Sequence, residues 1–162
     1  MIVYHGSTEI IKNPDVVHSK KYLDFGRGFY ITTFENQAKK WAVRKGMRQE
    51  KNAIVNVYEL SEEWDDFKVL SFEKENEKWL DFVCACRKGQ PLNKEYDIII
   101  GNVADDDVFK TVDMYFRGLW DKEKVLGELR YYKMNNQICI VNQKAISELV
   151  TFKSSYEVTS NG

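Results

Sequence analysis

β-Rich segments stand at both ends of this 162-residue sequence, and the helical patterns between them do not alternate strictly with strands. That order constrains the fold more than any other feature, because a doubly wound parallel sheet needs a helix between successive strands. Ala53–Leu60 carries the clearest strand pattern, rich in β-branched and aromatic residues. Ile2–Tyr4 is a short strand candidate, Gly28–Thr32 follows a glycine-rich turn, and Phe67–Phe72 is a further candidate. The apolar run Tyr96–Gly101 reads as a buried strand, and Gln137–Val141 and Val150–Val158 supply strands near the end. Helical periodicity covers Asn36–Gln49, Glu75–Lys88, a stretch from Asp105 to about Leu119, Lys122–Tyr132 and a short piece at 143–148. Residues 8–25 show no period and contain the turn signal Asn13-Pro14-Asp15. The expected class is α+β.

No repeat, low-complexity tract or linker divides the chain, so a single domain over 1–162 is expected. A content of 43% apolar and 30% charged residues is that of a globular protein with a substantial core. The net charge of −1 gives no overall attraction to nucleic acid or anionic membrane, although a local basic patch remains open. Met1-Ile2-Val3-Tyr4-His5 lacks the basic-then-apolar order of a secretory leader, and no apolar run approaches the ~18 residues of a membrane span. The three cysteines, Cys84, Cys86 and Cys139, form an odd, sparse set of the kind that stays reduced in a cytoplasm. Cys84 and Cys86 could serve metal or redox chemistry, but no second ligand pair accompanies them and core packing explains them. A cytoplasmic protein without membrane attachment is expected.

Three local patterns carry chemistry. Tyr4-His5-Gly6-Ser7 ends the first strand and places one of only two histidines beside a glycine, where a ligand can approach the backbone. Asp24-Phe25-Gly26-Arg27-Gly28-Phe29-Tyr30-Ile31-Thr32 sets two glycines before a β-rich segment. It is not a dinucleotide fingerprint, because the third glycine is missing and a strand follows where that motif has a helix. Asn135-Asn136-Gln137 opens a strand with polar residues able to point into a cleft. Each pattern alone also has an ordinary structural explanation.

In this order the patterns resemble the ADP-ribosyltransferase superfamily, and more closely its diphtheria-toxin and poly(ADP-ribose) polymerase branch, whose signature runs His, Tyr, Glu. With Tyr96-Asp97-Ile98-Ile99-Ile100-Gly101-Asn102-Val103-Ala104-Asp105-Asp106 they look like an uncharacterised bacterial family thought to be ADP-ribosyltransferase-like and often encoded beside a small partner. The resemblance spans residues 2 to about 150. It implies a split β-sandwich of two mostly antiparallel sheets with flanking helices. NAD is the implied substrate, a protein or nucleic acid the acceptor, a cognate antitoxin protein the partner, and no metal is required. His5 corresponds to the histidine that binds the adenosine-side ribose, Gly6 to the backbone that holds the nicotinamide amide, and Ser7 to a hydroxyl assisting it. Gly28, Tyr30 and Thr32 belong to the second motif. Tyr30 and Trp41 would sandwich nicotinamide, although Trp41 could equally pack in the core.

Gln137 stands where that branch has Glu, completing an expected catalytic set of His5, Tyr30 and Gln137. Loss of neutral nicotinamide leaves an oxocarbenium-like ribose, and a carboxylate about 4 Å away is worth about 4 kcal/mol at an effective dielectric of about 20. A glutamine keeps the hydrogen bonds and forgoes that attraction, and it cannot act as a general base. It is compatible with transfer to a strong nucleophile or to a target that brings its own base, with a slow enzyme or NAD glycohydrolase, or with an inactive NAD binder. Glu128 could supply a carboxylate or be a solvated helix residue. Asp97, Gly101, Asp105 and Asp106 suit a helix start better than a metal. Lys39, Lys40, Arg44 and Lys45 form either a solvated face or a diphosphate contact. RNA 2′-phosphotransferase shares the superfamily, but its phosphate chemistry calls for more basic residues in the first motif than this chain has.

Overall fold

A computed structural model describes residues 1–19, 23–73, 76–103, 106–129 and 135–159. The fold is α+β, with two mostly antiparallel sheets and five α-helices. The first sheet has the order β1-β3-β7, formed by β1 (Ile2–Ser7), β3 (Ala53–Leu60) and β7 (Val150–Val158), all antiparallel. The second has the order β2-β6-β5-β4, formed by β2 (Phe29–Ile31), β6 (Gln137–Ile140), β5 (Ile98–Gly101) and β4 (Val69–Ser71). Only the β4–β5 pair is parallel. The helices are α1 (Glu35–Gln49), α2 (Glu77–Arg87), α3 (Asp106–Phe116), α4 (Lys122–Leu129) and α5 (Gln143–Leu149), with a short 3-10 helix at Leu92–Glu95.

Every expected element is present, with differences at the edges. β1 runs three residues beyond Tyr4 because its ladder with β3 continues to Ser7 opposite Ile54. β4 is shorter than Phe67–Phe72, since Phe67 closes a turn on Trp64. The 3-10 helix after Pro91 has no counterpart in the sequence reading. The tail of the expected 122–132 helix, and Asp105, lie outside the described residues.

Side-chain alternation sorts the apolar residues into three layers. Val3, Tyr58 and Leu60 from the first sheet meet Phe29, Ile31, Ile98, Ile138 and Ile140 from the second, so the sheets pack face to face. On the outer face of the second sheet, Phe25, Ile99 and Cys139 meet Trp79, Leu80 and Val83 of α2 and Val108 and Val112 of α3. On the outer face of the first, Val55 and Ala53 meet Ala38 and Ala42 of α1. The three cysteines are free and buried, and burial raises the thiols, Cys84 to about 11 and Cys86 to about 12. They are core residues.

α1 lies so close to β1 that a Cβ at Gly6 would stand 2.3 Å from the Ala38 carbonyl oxygen and 2.7 Å from the Ala42 nitrogen. Both are backbone atoms, so relief requires moving the helix. Gly6→Ala is therefore expected to destabilise the protein by about 1–3 kcal/mol, at about 2–4 °C of Tm per kcal/mol for a domain of this size. Thermal unfolding checks this, and an unchanged Tm would show that α1 is not held against β1.

Candidate functional site

The two sheets touch edge to edge at one place. Tyr4 of β1 exchanges both backbone hydrogen bonds with Thr32, at 2.8 and 3.0 Å. In the same register the next pair would be Gly6 with Tyr30, because alternate residues of a strand turn their backbone groups the same way. That pair does not form. The His5 ring places Nδ1 2.6 Å from the Tyr30 carbonyl oxygen, and β1 and β2 part. A cleft of about 990 Å³ opens at the split, with His5, Tyr30, Gln137, Gly28 and Trp41 on its walls. Its size is at the upper end for a small-molecule site.

The acceptor-only carbonyl requires that His5 carry its proton on Nδ1 and donate, which leaves Nε2 as an acceptor. Burial pushes the imidazole pKa from 6.5 down to about 4, with the Lys45 charge acting in the same direction against the Tyr30 bond. His5 is therefore neutral at pH 7 and suited to receive a hydroxyl. Its ring packs on Phe29 at 4.7 Å.

Tyr30 lines the cleft and packs its side chain against the Phe25 and Cys139 cluster, its hydroxyl donating to the Gly26 carbonyl at 2.5 Å and accepting from the Phe25 amide at 3.0 Å. Burial, with Cys139 and Asp24 nearby, raises its pKa well above the usual value, so it does no acid–base work at neutral pH. This explains the sequence around it. Phe25 is fully buried in the core, Gly26 takes the left-handed conformation at φ 74°, and the Asn93 side chain donates to the Arg27 carbonyl. A Cβ at Gly28 would meet Cys139 Sγ at 2.3 Å, so that glycine allows β2 to approach β6.

The same turn carries Asp24 into the cleft wall at 7% exposure, where a charge needs partners. Its Oδ1 accepts from Nε and Nη2 of Arg87, at 2.9 and 2.5 Å. Its Oδ2 accepts from Gln137 Nε2 at 3.0 Å. A carboxylate only accepts here, so the Gln137 amide is oriented with its nitrogen toward Asp24 and toward the Asn102 carbonyl at 3.4 Å.

The other walls come from α1 and from residues 9–19. Trp41, Lys45 and Arg48 follow one helical stripe and all reach the cleft. Lys39 instead lies 5.9 Å over the Tyr156 ring, and Lys40 and Arg44 are exposed, so the expected basic cluster divides between cleft and solvent. The segment after β1 is pinned from below by β3. The fully buried Asn56 accepts from the Ile11 amide and donates to the Glu9 carbonyl, and the Tyr58 hydroxyl donates to the Ile11 carbonyl. Ser19 Oγ accepts from the Gly28 amide.

Three expected contact residues stand behind the wall. Thr32 is fully buried, donating to Asn136 Oδ1 and accepting from the Phe34 amide. Ser7 is buried with its hydroxyl accepting from the Glu9 amide. The face of Gly6 is filled by α1, and Gly6 does not line the cleft. Glu128 is exposed on α4 and does not line the cleft. Asp97 takes the Lys68 amide and the Asn142 side chain, and Gly101 makes room for Phe25, so both are structural. Among the described residues no group of three His, Cys, Asp or Glu side chains could hold a metal, and no helix is long and apolar enough to cross a membrane. Sequence reasoning missed Asp24 as a carboxylate on the cleft wall, which Glu9 and Asp15 also line, and it missed Arg87, Asn56 and Arg48. Asp24 was visible as part of its motif; the others carried no local signal.

A family model matches residues 1–152, nearly the whole chain. The chain belongs to the DUF3990 family. That family is described as a protein of unknown function, so membership fixes kinship without chemistry. None of the curated proteins compared matches this DUF3990 chain.

The His5 geometry has a consequence for pH. Its folded pKa of about 4 lies below the unfolded value near 6.5, so the unfolded chain binds the proton first as pH falls. Its contribution to stability is complete above about pH 6.5 and declines between about 6.5 and 4. The wild type is expected to lose more Tm over that interval than His5→Gln, and nitrogen NMR should show the Nδ1–H tautomer at pH 7. A midpoint near 6.5 in the folded protein would contradict the assignment.

Proposed function

We propose that this chain is an NAD-dependent ADP-ribosyltransferase acting on a macromolecular acceptor, as the toxin of a pair restrained by a cognate partner protein. The observation that carries the reading is convergence: His5, Tyr30 and Gln137 lie far apart in sequence yet meet on one cleft. The order of these residues is that of the His, Tyr, Glu signature, with an amide in the third place. The α+β fold of two packed sheets is the class the resemblance implies.

The groups suit the parts of a dinucleotide. The neutral His5 offers Nε2 to a ribose hydroxyl. The Tyr30 and Trp41 rings offer faces to nicotinamide, and a stacked ring adds about 0.5–1.5 kcal/mol beyond its buried area. Lys45 and Arg48 on α1, with Lys12 from the segment after β1, bring positive charge to the wall for a diphosphate. In the reaction the bond from the ribose C1′ to the nicotinamide nitrogen breaks, its electron pair leaves with nicotinamide, and the ring nitrogen becomes neutral. A lone pair of the acceptor then bonds to C1′, and the acceptor's proton passes to water.

A second reading is favoured by Gln137 itself. An amide cannot take a proton from a weak acceptor, so the same cleft could bind NAD, or cleave it to water, without modifying a macromolecule.

Incubation with NAD labelled in the adenylate half separates these readings. Release of nicotinamide with label on protein or nucleic acid supports transfer, release alone supports hydrolysis, and neither supports binding only. His5→Ala and Tyr30→Ala are expected to lose activity while remaining folded. Tyr30→Phe, which keeps the ring and loses two hydrogen bonds, should keep more activity than Tyr30→Ala. Full activity in both alanine variants would end the proposal.

A further inference from the structure

The carboxylate that the reaction calls for is present in the cleft, but on a different strand's approach. Gln137 begins β6, and Asp24, in the turn before β2, reaches across to within 3.0 Å of its amide nitrogen. Asp24 lines the cleft beside Tyr30, and Arg87 grips its second oxygen. The pair Asp24 and Gln137 brings together a carboxylate and a hydrogen-bonding amide oxygen, with the Arg87 guanidinium on Oδ1 offsetting part of the carboxylate's charge. It also accounts for the amide. A glutamate at 137 would face Asp24 at about the separation at which two carboxylates share a proton, so the charge can sit on one of the two residues and not on both.

We infer that Asp24 is the negative group that stabilises the ribosyl cation, with Gln137 presenting its carbonyl oxygen to the sugar and Arg87 acting as a positioning residue for Asp24. This inference rests on the reading that the cleft takes a ribosyl donor, and it names the residue that replaces the expected glutamate. The bond changes are those given above. Asp24 neither gains nor loses a covalent bond, and it opposes the charge left on the sugar when the electron pair departs.

The test compares two ribose mimics that differ in one charge: a pyrrolidine sugar whose ring nitrogen is protonated at pH 7, and the neutral tetrahydrofuran sugar of the same shape. Their affinities are measured by calorimetry for the wild type, Asp24→Asn, Gln137→Glu and the exchange Asp24→Asn with Gln137→Glu. Transition-state analogues bind about 100-fold or more tighter than substrates, and the two sugars isolate the part of that gain that comes from the charge. The wild type should prefer the cation to that degree, Asp24→Asn should lose the preference, and the exchanged protein should regain most of it. A merely structural Asp24 would alter both affinities together. Because Asp24→Asn leaves the partly buried Arg87 against a neutral group, Asp24→Asn with Arg87→Met removes the pair as a unit and is measured alongside. Its Tm verifies folding.

Equal affinity of the wild type for the two sugars, binding of neither, or an undiminished preference in both folded Asp24 variants would overturn the inference. The ADP-ribosyl reading fails separately: no nicotinamide released from NAD by the wild type removes that reading, while the cation preference still judges Asp24.

Discussion

One backbone bridge decides the architecture of the site. Tyr4 and Thr32 tie the two sheets together, and at the next position His5 takes the Tyr30 carbonyl with a side chain. An uninterrupted ladder would have closed the sheets into one surface. The interruption leaves two strand edges apart, and His5, Tyr30 and Gln137 line the gap. The cost of interruption is contained, because the Tyr30 carbonyl still receives a donor and no buried side-chain polar atom among the described residues lacks a partner.

The second constraint is electrostatic. A nearly buried carboxylate is expensive unless paired, and removing one partner of such a pair costs about 3–5 kcal/mol. Apolar residues of similar volume often serve stability as well or better, so the Asp24–Arg87 pair in the cleft wall is compatible with the role proposed for it above. The neighbouring turn is correspondingly rigid: Phe25 anchors it in the core, Tyr30 binds it through two hydrogen bonds, and Asn93 clamps its far side. Buried Asn56 plays the same part for the wall formed after β1.

Most of the fold was legible because its signals are local. The alternation in Ala53–Leu60, the apolar run at Ile98–Gly101 and the stripe in α1 each follow from short-range periodicity. What sequence could not supply was pairing across distance. Nothing near Arg87 says that it reaches Asp24, which is 63 residues away. Nothing near Gln137 says that its amide rests on Asp24, 113 residues away. For the same reason the sequence offers Glu128, close to Gln137 along the chain, as a carboxylate or a solvated helix residue, and it is exposed on α4. Thr32 and Ser7 sit within the motifs, yet strand alternation and local hydrogen bonds turn them into supports rather than contacts.

The most direct test of the account is a crystal structure of Gln137→Ala soaked with NAD, the substitution slowing turnover. The account requires the nicotinamide ring against Tyr30, a ribose hydroxyl donating to His5 Nε2, and the diphosphate toward Lys45 and Arg48. A dinucleotide bound elsewhere, or one in the cleft that leaves the His5 imidazole untouched, would contradict it.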